Sequence, residues 1–184
     1  NFFDECTSTG TGSLLARANL LSKSPMPRSV AVNSALLSAG LTFAINLGVL
    51  MIVIRATGTS LGIPAVTFPL LLLDLILQTT GMAFLLAPLH VHFRDIGYLW
   101  KIALQVGFWL TPIIYLDTMV PERWRWLVWA NPVGRVIGDS RRALIWGLWP
   151  APRGLLLPTL ISAVVCAVGV AVFRRLQGRI VEYF

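Results

Sequence analysis

From Asn33 to Ile54 the chain runs for 22 residues without one charged side chain. As an α-helix rising about 1.5 Å per residue, that run is roughly 33 Å long, enough to cross the hydrocarbon core of a bilayer. Backbone polar groups in hydrocarbon must bond within the segment, so such a run has little choice but to be a helix. Three further apolar runs predict spans at 66–87, 98–116 and 155–173. Pro64, Pro69 and Pro88 bracket the second, and Lys101 lies near enough to the start of the third to snorkel back to water. The fourth leads into a basic tail of Arg174, Arg175 and Arg179. The stretch 55–62 between the first two spans is a short Gly/Thr/Ser turn that reverses direction.

Composition agrees. Of 184 residues, 56% are hydrophobic and 12% charged, with mean hydropathy +0.75, whereas a soluble domain is about a quarter charged. The reading is an all-α integral membrane protein: one transmembrane domain over 1–184 with four spans. A net charge of +7 would suggest nucleic acid in a soluble protein. Here the basic residues flank apolar runs, so contact with membrane lipids is the better account and no nucleic-acid partner is expected. Cys6 and Cys166 form neither a disulfide framework nor a zinc spacing. Asn1 follows no initiating methionine or signal segment, so the expectation is a fragment that lacks an upstream portion.

Four spans put both ends on one side. That side holds eight Lys and Arg residues and the other seven. The seven lie mostly in the long connection 117–153, which the positive-inside rule weights lightly. Trp124, Trp126, Trp129, Trp146 and Trp149 lie there too, as interfacial or re-entrant helices require. Both ends are therefore placed in the cytoplasm. The stretch from Phe93 to Pro132 repeats the order on a small scale: charge, an apolar run broken at Pro112, then indoles at the far interface.

Polar residues within this frame have two readings each. Thr67, Asp74, Gln78 and Gly81 fall at helical spacing and form one stripe. The intramembrane pair Asp74 and Gln78 either lines a polar conduit or seam, or pairs with a group on a helix absent from the chain. His90, His92, Arg94 and Asp95 read as a cytoplasmic loop, since a third strong metal ligand is missing. Thr9 to Ser13 lacks the spacing of a phosphate loop and reads as a flexible polar connection. Ser8, Ser13, Ser140 and Cys6 have no base arranged around them, so no catalytic residue is assigned. Phe108, Trp109, Tyr115, Trp124, Trp126 and Trp129 are either an interfacial belt or faces on which sugar rings stack.

Several stretches in order resemble a known family. Gly12 to Lys23 with Pro27-Arg28, then His92-Phe93-Arg94-Asp95-Ile96, then Thr111-Pro112-Ile113-Ile114-Tyr115 are three of them. Met119 to Trp126, Asn131-Pro132 and Phe173-Arg174-Arg175-Leu176 complete the set. Together they are similar to the permease subunits of type-2 ATP-binding-cassette exporters, in the branch moving O-antigen, capsule or teichoic acid. The chain departs from the pattern at Gly138, where the family often has glutamate, and in having Asp74.

The resemblance implies six spans in the family against four here, plus two short re-entrant or interfacial helices on the outer side. It implies a homodimeric channel in a bacterial inner membrane for a polysaccharide or lipid-linked glycan. A separate ABC ATPase subunit would carry ATP and Mg, with no cofactor or metal on this chain. The cytoplasmic segment 14–28 would couple to that ATPase through Ala18, Asn19, Leu20, Leu21, Lys23 and Arg28, beside the loop residues Arg94 and Asp95. Residues 121–147 would form the outer gate, and the six aromatic residues above the substrate path. Two other readings stay open: an exporter of a drug, lipid or small molecule, and an intramembrane enzyme acting on lipid-linked sugars through Asp74, His92 and Asp95.

Overall fold

The structure is a computed structural model that describes residues 1–23, 26–58, 62–111, 121–124, 131–150 and 152–178. Every regular element among the described residues is helical. In chain order they are α1 (Phe2–Ala16), α2 (Ala18–Lys23), α3 (Ser29–Ala56), a 3₁₀ turn (Ile63–Thr67) and α4 (Phe68–His92). Then come α5 (Ile96–Leu110), a second 3₁₀ turn (Glu122–Trp124), α6 (Pro132–Leu144) and α7 (Pro152–Leu176).

Among the described residues, three segments are long and apolar enough to cross a membrane: Ser29–Ala56, Ile63–His92 and Pro158–Leu176. The first two contain the stretches expected at 33–54 and 66–87, and the third overlaps the one expected at 155–173 from Pro158 onward. The expected third span, 98–116, is helical to Leu110, where Thr111 turns extended; residues 112–116 lie outside the described part. Pro88 does not end the second span, because α4 runs on to His92. The proline forgoes one backbone hydrogen bond, and its buried setting holds the helix together around that loss.

α4 is the centre of the bundle, with 50% of its apolar window buried against 6% for α3. It packs most extensively on α7, then on α1. The pairs Asp74–Thr159, Gln78–Ser162 and Phe84–Phe173 show that α4 and α7 run parallel. Their contact is backbone to backbone. A Cβ on Gly81 would lie 2.6 Å from Cys166 Cα, and one on Gly169 would overlap the Gly81 carbonyl oxygen. Small residues let membrane helices approach this closely and collect dispersion energy that larger side chains would block.

The polar N-terminal region is not a loop. Residues 2–16 form a continuous helix antiparallel to α3, with Phe2 stacked on Phe43 and Leu14 beside Ala31 and Val32. The run from Thr9 to Ser13, expected to be a flexible connection, sits in its middle; Gly10, Thr11 and Ser13 are buried. The reason is local. Thr7, Thr9, Thr11 and Ser13 each donate their hydroxyl to a carbonyl three or four residues back, so they present little unmet polarity to the bundle. Gly10 completes the fit, since a Cβ there would stand 2.7 Å from Ala83 Cβ. Within the segment 14–28, Leu14 is a core residue of α1 and Ala16 is the first exposed residue.

Leu14, Ala31, Val32, Ala87, Val91 and Phe173 meet in one apolar cluster. The end of α1, the start of α3 and the ends of α4 and α7 therefore share one side of the bundle. α6 packs at the other side, against α4, α7 and the first 3₁₀ turn. Of the two short outer helices expected within 121–147, the described residues show α6 and the single turn at Glu122–Trp124. On α3 the side chains of Leu37, Leu41, Ile45, Val49 and Ile52 are exposed along one apolar stripe.

Candidate functional site

α5 carries the chemistry that a membrane helix would otherwise avoid. At 100° per residue its side chains fall into three stripes. Trp100, Leu104, Gly107 and Thr111 face the rest of the chain. Leu99, Ile102, Val106 and Leu110 form an aliphatic stripe. Tyr98, Lys101, Gln105, Phe108 and Trp109 form the third, polar and aromatic together, and all five are exposed. Trp109 is 67% exposed and Tyr98 70%, with the Phe108 and Trp109 rings edge to face at 6.0 Å. Gln105 sits near the middle of the helix, where a bare amide facing lipid would be costly.

Three anchors on the inner stripe fix how α5 presents that face. The Gly97 amide donates to His90 Nδ1 at 3.2 Å, where a Cβ on Gly97 would meet the imidazole. Trp100 Nε1 donates to Thr7 Oγ1 on α1 at 2.9 Å. At the far end Asn131 Nδ2 donates to Thr111 Oγ1 at 2.8 Å, while Asn131 Oδ1 accepts from the Val133 and Gly134 amides. Asn131 is thus the N-cap of α6, and Pro132 occupies a first-turn position whose amide would have no partner anyway. One asparagine ties α6 to the end of α5. Behind these anchors lies a cavity of about 480 Å³, bordered by Phe3, Gln78, Trp100, Leu104 and Phe108.

The opposite side carries a corner. Arg17, between α1 and α2, donates through Nη1 to the Ala31 carbonyl at 2.9 Å and to Ser34 Oγ. That grip fastens α2 to the first turns of α3. Asn19, Leu20 and Lys23 are exposed on α2; Ala18 and Arg28 are half-buried. Leu21 lies within the same helix. The turn at Phe93, Arg94 and Asp95 is exposed, on the same side, since it directly follows the end of α4.

Other expected site residues fall elsewhere. Asp74 and Gln78 do not join the exposed stripe of α5. They are buried between α4 and α7, where Thr159 Oγ1 donates to Asp74 Oδ2 at 3.1 Å and Gln78 Nε2 to Ser162 Oγ at 2.8 Å. The polar group facing Asp74 thus belongs to this chain. Phe108 and Trp109 belong to the α5 face, whereas Tyr115, Trp126 and Trp129 lie outside the described residues; Trp124 closes the second 3₁₀ turn. Gln105 escaped the sequence reading, although the 3- and 4-residue steps from Tyr98 through Lys101 to Trp109 mark it. Among the described residues no three His, Cys, Asp or Glu side chains come together.

Comparison with known proteins adds the following. The family model for the ABC-2 type transporter matches residues 1–138. The chain is similar to an O-antigen export system permease protein RfbA of Klebsiella pneumoniae, 25% identical over 182 residues, covering 98% of this chain and 70% of that one. A second Klebsiella pneumoniae RfbA is 24% identical over 185 residues with the same coverage. The RfbA of Myxococcus xanthus is 24% identical over 183 residues, again over 98% and 70%.

Proposed function

Because the chain belongs to the ABC-2 type transporter family and is a multi-pass membrane subunit of a transporter, we propose that it exports a polysaccharide or lipid-linked glycan. The path runs along the polar and aromatic stripe of α5, at the seam between two copies of the chain, in a bacterial inner membrane. That stripe is the observation that carries the reading. Gln105 and Lys101 are unsuited to lipid, and Tyr98, Phe108 and Trp109 offer flat faces to the C–H surfaces of sugar rings. A second copy placed across this face would shield Gln105 and enclose a polar, slippery channel. The similarity to O-antigen export permeases supports the same cargo class.

An ABC ATPase drives the cycle from the side that carries α2. Hydrolysis can bias transport only by favouring two permease arrangements unequally. The lever is α2: Asn19, Leu20 and Lys23 face outward there, and Arg17 links its base to α3. The basic residues Arg17, Lys23, Arg28, Arg94, Arg174 and Arg175 gather on this side, which supports the reading that it faces the cytoplasm.

The test is reconstituted export with the ATPase partner. Gln105→Leu and Trp109→Ala are expected to lower glycan export several-fold while ATP hydrolysis and folding persist. Ile102→Ala, on the aliphatic stripe, is expected to export normally. Equal export by all three would refute the assignment of the path.

A further inference from the structure

The seam between α4 and α7 has a hydrogen to account for. Ser162 Oγ donates its single hydrogen to the Pro158 carbonyl at 2.7 Å. Gln78 must therefore approach Ser162 with its Nε2 donor, as found at 2.8 Å, which leaves Gln78 Oε1 buried without a partner. One turn earlier, Thr159 Oγ1 lies 2.8 Å from the Leu155 carbonyl and 3.1 Å from Asp74 Oδ2. It has one hydrogen for two acceptors. Asp74 Oδ1 is also buried without a partner. Asp74 and Gln78 stand one turn apart on the same face of α4, the spacing at which side chains meet.

We infer that Asp74 is a proton-binding site: a neutral carboxylic acid whose Oδ1–H donates to Gln78 Oε1 across one turn of α4, inside the α4–α7 seam. One proton satisfies both orphaned oxygens and removes a charge from a fully buried position, where an unpaired carboxylate is very costly. The charged side chains of α6, which packs on both helices, are Arg135, Asp139, Arg141 and Arg142; Asp4 of α1 borders the cavity that Gln78 also lines. None of them supplies the missing bond, since Thr159 is the group that reaches Asp74. A metal cation would need several more oxygens and room for itself, and the helices meet backbone to backbone one turn away at Gly81. Held this way, Asp74 and Gln78 keep their bonds to Thr159 and Ser162 across the seam, and parting the two helices would hydrate Asp74 and release its proton.

The test uses the permease with its partner in lipid at neutral pH, comparing wild type with Asp74→Asn and Asp74→Ala. Asparagine mimics the neutral acid, with Nδ2 donating to Gln78 and Oδ1 accepting from Thr159. The expected results are an infrared carbonyl band of a protonated acid that disappears in Asp74→Asn, and a melting temperature for Asp74→Asn within about 3 °C of wild type. Asp74→Ala, which leaves Gln78 Oε1 without a donor and opens a void in the seam, is expected about 5 °C or more lower. Replacing sodium chloride with choline chloride is expected to shift nothing. A carboxylate signal in place of the acid band would overturn the proposal. So would sodium-dependent stabilisation of wild type that Asp74→Asn lacks, since that identifies a cation site instead.

Discussion

Replacing Gly81 with alanine would bring a Cβ to 2.6 Å from Cys166 Cα and N and 2.7 Å from the Val165 carbonyl carbon. Carbon atoms in good contact sit about 3.5–4.0 Å apart, so α4 and α7 would have to separate by roughly 1 Å. The obstacle is backbone, which cannot rotate away as a side chain tip can. Overpacking of this kind costs about 1–3 kcal/mol. Separation also stretches the Asp74–Thr159 and Gln78–Ser162 bonds, each worth about 0.6 kcal/mol in a membrane bundle. Alanine's better helix propensity returns about 1 kcal/mol. The net is about 1–3 kcal/mol, or a melting temperature lower by roughly 3–10 °C for a chain of this size. Thermal unfolding of the purified protein in lipid measures it, with Gly48→Ala as control because nothing lies within 4 Å of a Cβ there. If Gly81→Ala melts at or above Gly48→Ala, the close approach of α4 and α7 is not what holds this bundle together.

Asn131→Ala removes the cap of α6 together with its bond to Thr111, and is expected to lower stability by about 1 kcal/mol or more; a drop in melting temperature with faster proteolysis near 131–150 would register it. Asn131→Asp, which keeps the cap but cannot donate to Thr111, should recover part of the loss. Lys23→Glu is expected to leave melting unchanged while uncoupling ATP hydrolysis from export, because the side chain is exposed on α2; wild-type export from that variant would count against α2 as the lever.

The long apolar runs at 33–54 and 66–87 were legible because length and absence of charge leave a bilayer-spanning helix as the one economical fold. The Asn131-Pro132 pair was legible as a motif, and its geometry supplies the cause: one side chain caps a helix and ties it to its neighbour. α1 was not legible. Its threonines, serines and glycines have the composition of a loop, and hydropathy cannot see hydroxyls folded back onto their own helix. The partner of Asp74 was out of reach for another reason: Thr159 lies 85 residues away, and one sequence says nothing of which helices touch. Gln105 is a lone amide in an apolar run, and such a residue acquires meaning only once the packed face of α5 is known.

The central claim, that the Tyr98–Trp109 stripe of α5 lines an aqueous path, is tested most directly by thiol labelling. Single cysteines at Gln105, Trp109, Ile102 and Val106 would be placed in the full transporter, with Cys6 and Cys166 replaced by alanine, and exposed to a membrane-impermeant maleimide during ATP turnover. The account predicts labelling at 105 and 109, slowed when glycan is being exported, and none at 102 and 106. Labelling at 102 and 106 with 105 and 109 silent would contradict it.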